Sequence, residues 1–479
     1  MVPGRRTIDR EMRIRRAAVL LLAAIACWSA VPAVAANAPD SAALDRGPAS
    51  GVVVRLATGV VVRPATDIVP GSVNRSTMQV HATYSVGATL AWGSGRLSGH
   101  VSITATNVSA SGIDRLELNT VMGPLGGLRL GTTTVDGRTV SPRVSDQTIL
   151  VPLGGILPSG GTTVVVVRFS ARLRTGTSGT QWLFARANGI ADLYRWVPWI
   201  SRATPFSRPN YGDPFVTPAS AAVHAVLRSD VPLRWATTGT RTALSPDGLT
   251  ATFDAANVRD FIVTATRDAT TRTATVNGTA VRVVGRSGFP SSTVLSYAET
   301  ALTRLEAKLG SYPYPVLTIA ESAGGYGMEG PMTVWIPPHV ASANLRYLVT
   351  HEVAHGWFYG LVGNDQAREP FADEAMTDMV ARNVLGMRRS SQCSTARLDL
   401  SIYLYSSACY YEDIYIQGGN LLDDARRAMG TSAFWAAIRG YLAAHRFGLV
   451  HTRQLLDAID AASSIDFAAR WRSRFPSLY

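Results

Sequence analysis

The sequence predicts an α+β protein, with an antiparallel β-rich first half and a mainly helical second half. Short runs rich in Val, Thr and Ile recur from about residue 40 to residue 284, split by Gly, Asn, Asp and Pro. From residue 286 onward, apolar residues fall at helical spacing, interrupted by one strand-like passage. Strands first and helices after define this class, and 479 residues leave room for two domains.

At the N-terminus, the basic RIRR (13–16) precedes the apolar AAVLLLAAIACW and then VPAVAANA, with small residues at Ala33 and Ala35. This is the three-part pattern of a secretory signal peptide over residues 1–35, cut after Ala35. The alternative is a retained anchor, since Ala17 to Ala36 is just long enough to span a bilayer; Pro32 argues against it. Lipidation of Cys27 is a weaker third reading, because Ala24 suits it poorly. The expected location is outside the cytoplasm, secreted or at the cell surface.

Residues 36–285 form the expected β-rich domain. HATYSVGATLAW (81–92), GHVSITATNV (99–108) and TTVVVVRFSARL (162–173) alternate with period two and carry β-branched residues, as half-buried antiparallel strands do. The segment 195–215, with its Trp, Pro and Tyr residues, reads as a long loop of the kind that serves function or packs on another domain. Residues 286–479 form the second domain. SGFPSSTVLSYAETALTRLEAKLG predicts a helix with Ser and Thr at its start and Gly310 as its stop. SYPYPVLTIAESAGGYGMEGPMTVWIPP predicts strands around a Gly-rich turn, and helices follow from Ala341, with late ones opening at Thr431 and Thr452.

A hydrophobic fraction of 46% and a charged fraction of 17% exclude a disordered chain. The net charge is +12, of which Arg5, Arg6, Arg10, Arg13, Arg15 and Arg16 less Asp9 and Glu11 supply +4. The other arginines are scattered and Lys308 is the single lysine, so no nucleic-acid footprint is present. Membrane contact is expected only through a retained anchor. Removal of the leader would leave Cys393 and Cys409, an even pair that in an exported protein predicts a disulfide.

The chemistry concentrates in HEVAHGWFYGLVGNDQAREPFADEA (351–375). Leu345, Leu348 and Val349 predict a helix leading into His351 and His355, and residues four apart share a helix face. Two imidazoles so placed can hold one zinc ion, and Glu352, about a quarter turn away, is a poor ligand but a well-placed base beside water on that metal. A catalytic zinc takes a third protein ligand. Glu369, Asp373, Glu374 and Asp378 lie on the following helix, which has Pro370 in its first turn, and periodicity does not choose among them.

HExxH followed by eighteen residues (356–373) and Glu374 resembles the aminopeptidase N and leukotriene hydrolase family of gluzincins, as do His355-Gly356-Trp357-Phe358 and Asp373-Glu374-Ala375. The resemblance implies a thermolysin-like catalytic domain, a single zinc ion held by His351, His355 and Glu374, Glu352 as general base, and peptide substrates. Asp378, one turn past Glu374, is placed to orient a ligand histidine through its second nitrogen. GGYGMEGP (324–331) resembles the family's Gly-x-Met-Glu-Asn strand, which implies that Gly327 and Met328 pair with substrate backbone and Glu329 holds the substrate's α-amine. The family's asparagine is Gly330 here. Tyr415-Ile416-Gln417-Gly418 resembles the family's Tyr-x-Lys-Gly, with Gln417 in place of the lysine, and implies that Tyr415 stabilises the oxyanion. Tyr403, Tyr405, Tyr410 and Tyr411 lie close by in sequence.

The resemblance is strong from about residue 287 and implies a short form without the family's large helical C-terminal domain. No counterpart of the N-terminal-domain Gln/Glu pair that helps grip the substrate amine is evident, and the loop at 195–215 is the expected occupant of that place. The expected function is a zinc metallopeptidase, foremost an aminopeptidase. Its rivals are an endopeptidase, a silent peptide-binding protein on the same scaffold, and a β-rich adhesion protein with structural zinc. Structural sites use four protein ligands, which disfavours the last.

Overall fold

The computed structural model describes residues 54–55, 61–62, 79–204, 206, 215–394 and 396–479. The leader, its cleavage site and Cys27 lie outside the described residues, as does part of the 195–215 loop. No helix among the described residues is long and apolar enough to cross a membrane.

The first half is built of antiparallel strands, as their alternation predicts. Val80–Ala91 and Arg96–Asn107 pair along their whole length and lie inside an eight-stranded sheet. Alternate residues Val101, Ile103 and Ala105 are fully buried, each large aliphatic worth about 1.5–3 kcal/mol on burial. Val223–Ser229 departs from the antiparallel pattern and runs parallel to the strand at 80–91. Further sheets carry Ile113–Asn119 with Thr148–Leu157, and Ile190–Leu193 with Val263–Thr266. Tyr84 stacks on Trp199, ring centroids 3.9 Å apart, tying the 195–215 segment to the large sheet.

The two strands just before the expected boundary at 285/286 join a sheet with strands that follow it. Thr270–Val276 and Thr279–Gly285 form a hairpin, and the latter strand runs parallel to Val316–Glu321, which runs parallel to Thr333–Ile336. β-branched alternation marks a strand but not the sheet it joins, so these two read as part of the first domain. The helix Ser291–Leu309 stops at Gly310, whose φ of 91° suits glycine. Helices Ser342–Ala354, Met376–Leu385, Gly419–Met429, Thr431–Ala444 and Thr452–Asp460 follow.

Polar contacts hold the halves together around the Gly-rich passage. Asp192 accepts from the Ala323 amide at 2.6 Å, Asn188 donates to the Ala323 carbonyl at 2.8 Å, and Thr238 donates to the Pro331 carbonyl at 2.9 Å. Gly325 presses on Trp182, where a Cβ would come within 2.2 Å of the indole. The passage lies at the sheet edge, bridged antiparallel to the neighbouring strand at Met328 and Trp335. It is thus a pinned edge segment with a single bridge.

Candidate active site

His351 and Glu352 occupy the last turn of the helix Ser342–Ala354, and His355 caps it. Leu345, Val349 and Val353 seat this helix in the core, while Leu348 is half-buried. The opposing carboxylates come from Phe371–Ala375, a π-helical turn that widens the start of the next helix. From this turn the consecutive residues Asp373 and Glu374 both reach the histidines, Asp373 at His355 Nδ1 and Glu374 at the two Nε2 atoms.

Three donor atoms converge. His351 Nε2 and His355 Nε2 are 3.1 Å apart, and Glu374 Oε2 lies 3.3 Å from the first and 3.5 Å from the second. His355 Nδ1 faces Asp373 Oδ1 at 2.8 Å and the Phe358 carbonyl at 3.0 Å, both acceptors. Nδ1 therefore carries the proton, and the Nε2 lone pair points at Glu374. Glu374 Oε2 has no hydrogen-bond partner. Lone pairs and a buried anion facing one another call for a cation. Ligands at 2.0–2.1 Å from a tetrahedral ion stand about 3.3 Å apart, so the trio fits zinc.

The second-nitrogen partner of His355 is Asp373, whereas sequence position had pointed to Asp378. Asp378 is consumed elsewhere: it accepts from Arg382 Nε at 2.6 Å and from the Tyr347 hydroxyl. His351 Nδ1 has no hydrogen-bond partner. Tyr347, held by Asp378, packs its ring on His351 at 5.8 Å, so Asp378 reaches this histidine only through a tyrosine. Glu369 is consumed too, accepting from the Thr452 amide at 2.7 Å and facing His451.

Glu352 is buried with one oxygen, Oε2, unpaired. Burial first, then the charges of Glu329, Glu374 and Asp373, push its carboxyl well above the usual range, against the opposing pull of His355. Burial drives His351 down, with His355 adding to the effect. Gly327 leaves room for Glu352: a Cβ there would lie 2.1 Å from Glu352 Oε1.

Tyr415 sits on a second π-helical stretch, Tyr411–Gly418. Its ring stacks on His351 at 5.6 Å, and burial followed by the nearby Glu374 carboxylate keeps its phenol protonated well above the usual range. Tyr410 and Tyr411 pack around it as support. Gln417 donates to Asp413 at 2.8 Å and to the Cys393 carbonyl at 2.7 Å, and accepts from Arg474 at 2.8 Å. Cys393 and Cys409 are joined by a disulfide that ties the segment holding Gln417 to the start of the tyrosine turn. Closing a loop of that length is worth about 3 kcal/mol.

Glu329 is buried within reach of Glu352 and His355. Its carboxylate accepts from Gln366 Nε2 at 2.9 Å. The 195–215 segment does reach this neighbourhood: Arg202 pairs with Asp365, next to Gln366, at 2.6 Å. Gln366 carries no motif signal; only its place in the tertiary structure reveals it.

No protein-family model and no curated protein matches the sequence. Solved structures share its fold. The M1 zinc metallopeptidase from Deinococcus radiodurans has a TM-score of 0.65 at 16% identity, over 84% of this chain and 96% of that chain. A glutamate-to-alanine variant from the same organism, bound to a Tyr-Ser-Ala substrate, gives 0.64 at 16% identity, over 85% and 96%. A two-domain M1 zinc metallopeptidase variant bound to L-tryptophan gives 0.66 at 17% identity, over 83% and 95%. This chain has an M1 zinc metallopeptidase fold. Within that M1 fold, the β-rich half and the helical half meet around the Gly-rich edge passage and the loop at 363–369, which is where the converging side chains lie.

Proposed function

We propose that the chain is a zinc-dependent metallopeptidase that removes N-terminal residues from peptides. The observation that carries this is the convergence of His351 Nε2, His355 Nε2 and Glu374 Oε2, with Glu352 beside them. One zinc ion held by these three residues would polarise a carbonyl as a Lewis acid and bring a bound water's pKa near neutrality. Glu352 takes the proton of the attacking water and passes it to the leaving amine. Positive charge at the three ligands favours the ionised Glu352 that this role needs, reversing the local field of three neighbouring carboxylates. Tyr415, protonated at any physiological pH, donates a hydrogen bond to the developing oxyanion. Gly327, on the bridged sheet edge, aligns the substrate backbone, whereas Met328, expected to share that role, has both its amide and its carbonyl taken by Trp335.

Glu329 supports the exopeptidase reading, because a buried carboxylate beside Glu352 and His355 rewards an ammonium and little else. Peptide and amino-acid complexes of the M1 neighbours agree with substrates of this class. The leader pattern together with the Cys393–Cys409 bridge supports an exported location, secreted or at the cell surface. The deciding experiment offers purified protein matched peptides with free and acetylated α-amines, with and without chelator. Cleavage of the free form alone, abolished by chelator and restored by zinc, is expected. Efficient cleavage of the acetylated peptides would make it an endopeptidase, and inactivity of zinc-loaded protein across a broad library would leave only a peptide-binding role.

A further inference from the structure

Gln366 is 4% exposed and lies on the loop between Asn364 and the π-helical turn. Its amide nitrogen donates to Glu329 Oε1 at 2.9 Å and also to Asp373 Oδ2. A primary amide has two N–H bonds, so one group serves both carboxylates. Asp373 keeps its other oxygen, Oδ1, for His355 Nδ1 at 2.8 Å. The result is an unbroken path from Glu329 through Gln366 and Asp373 to His355. Without this donor pair, two buried anions would face each other uncompensated, at a desolvation and repulsion cost.

The loop is held from outside as well. Arg202 of the β-rich half pairs with Asp365 at 2.6 Å. Arg259 lies against Gly363, where a Cβ would come within 2.4 Å of its guanidinium. Asn364 donates to the Glu369 carbonyl at 2.7 Å. The amide of Gln366 is therefore aimed by neighbours on both sides of it in sequence and by the other half of the protein.

We infer that Gln366 is a positioning residue that couples the grip on the substrate's α-amine, through Glu329, to the grip on the metal, through Asp373 and His355. The inference rests on the proposed roles of Glu329 and the three ligands. Its physical content is that one amide sets the orientation of two carboxylates with different tasks. Groups that orient a ligand histidine typically change metal affinity by 10–100-fold when removed. Gln366 acts one bond further out, so the lower end, about 10-fold, is expected.

The test uses Gln366→Met, of similar length with no donor, and Gln366→Glu, of the same shape with a charge in place of the donor. Two readouts are needed besides turnover: the zinc dissociation constant by competition with a chromogenic chelator, and calorimetric affinity for leucine amide against N-acetyl-leucine amide. Both variants are expected to weaken zinc about 10-fold and to weaken leucine amide but not its acetylated form, with the zinc-loaded protein still folded by circular dichroism and its thermal midpoint lowered, more by Gln366→Glu than by Gln366→Met. In a Glu329→Gln background, Gln366→Met is expected to have no further effect on leucine amide; in an Asp373→Asn background, no further effect on zinc. Additive losses, with Gln366→Met weakening each ligand as much in the double variants as in wild type, or no loss in either readout, would overturn the inference. If Glu329→Gln alone leaves leucine amide binding unchanged, the amine reading falls and that arm of the coupling with it, while the zinc arm is still decided in the Asp373→Asn background.

Discussion

Replacing Gly327 with alanine would place a Cβ 2.1 Å from Glu352 Oε1, 2.7 Å from its carboxylate carbon and 2.8 Å from Leu348 Cδ1. The backbone at Gly327 is not in the left-handed region, so an alanine is conformationally acceptable and the effect is one of space alone. Ordinary contact begins at 3.4 Å, so carboxylate and Cβ must separate by about 1.3 Å, and displacement of a catalytic group by about 1 Å can cost 10²-fold in rate. The three atoms nearest that Cβ include none of the proposed zinc ligands. Gly327→Ala is therefore expected to keep one zinc per chain and a near-native thermal midpoint while kcat on an aminoacyl reporter falls about 100-fold. Elemental analysis and steady-state kinetics on the same preparation check this. A kcat within about 3-fold of wild type at full zinc occupancy would show that Glu352 does not need the position it holds, and the base assignment would fail with it.

Three further outcomes follow from the same geometry. Glu352→Gln is expected to retain zinc and lose about 10²–10⁴-fold in kcat, as removal of a general base does; elemental analysis with kinetics checks it, and near-normal turnover would remove Glu352 from the chemistry. Tyr415→Phe is expected to lower kcat by about 10²–10³-fold with zinc in place, the usual cost of one oxyanion donor, and unchanged kcat would refute the role. Asp192 gives a pH signature: burial raises its carboxyl from 3.8 to about 7, against hydrogen bonds from Ala323 and Thr264. A raised acid stabilises the fold fully below its unfolded pKa and loses that contribution as pH rises through the folded value. The stability of wild type relative to Asp192→Asn should thus fall by about 2–3 kcal/mol between pH 5 and pH 7, measured by urea unfolding; a pH-independent difference would contradict it.

Much of the site was legible because it is local or countable. Helical spacing at Leu345 and Val349 placed His351 and His355 on one face, and the helix is there. Gly310 ends the helix at 291–309 because a φ of 91° costs glycine little. Strand alternation marked residues 81–91, 99–107 and 162–172 correctly. Sheet membership was not legible, since the hairpin at 270–285 has the same alternation as the strands before it yet pairs with residues that follow a 19-residue helix.

The sequence by itself determined the order of strands and helices, the pair of histidines, and a resemblance that pointed to Glu374 by counting. Tertiary structure alone decided what each neighbouring carboxylate does. Glu369 caps a distant helix, Asp378 is spent on Arg382 and Tyr347, and Asp373 takes the second nitrogen of His355. The reason is twofold. A π-helical turn at 371–375 breaks the regular periodicity on which a helical reading depends. And the partners that settle these roles, such as Gln366 with Glu329 across 37 residues, meet only once the chain has folded.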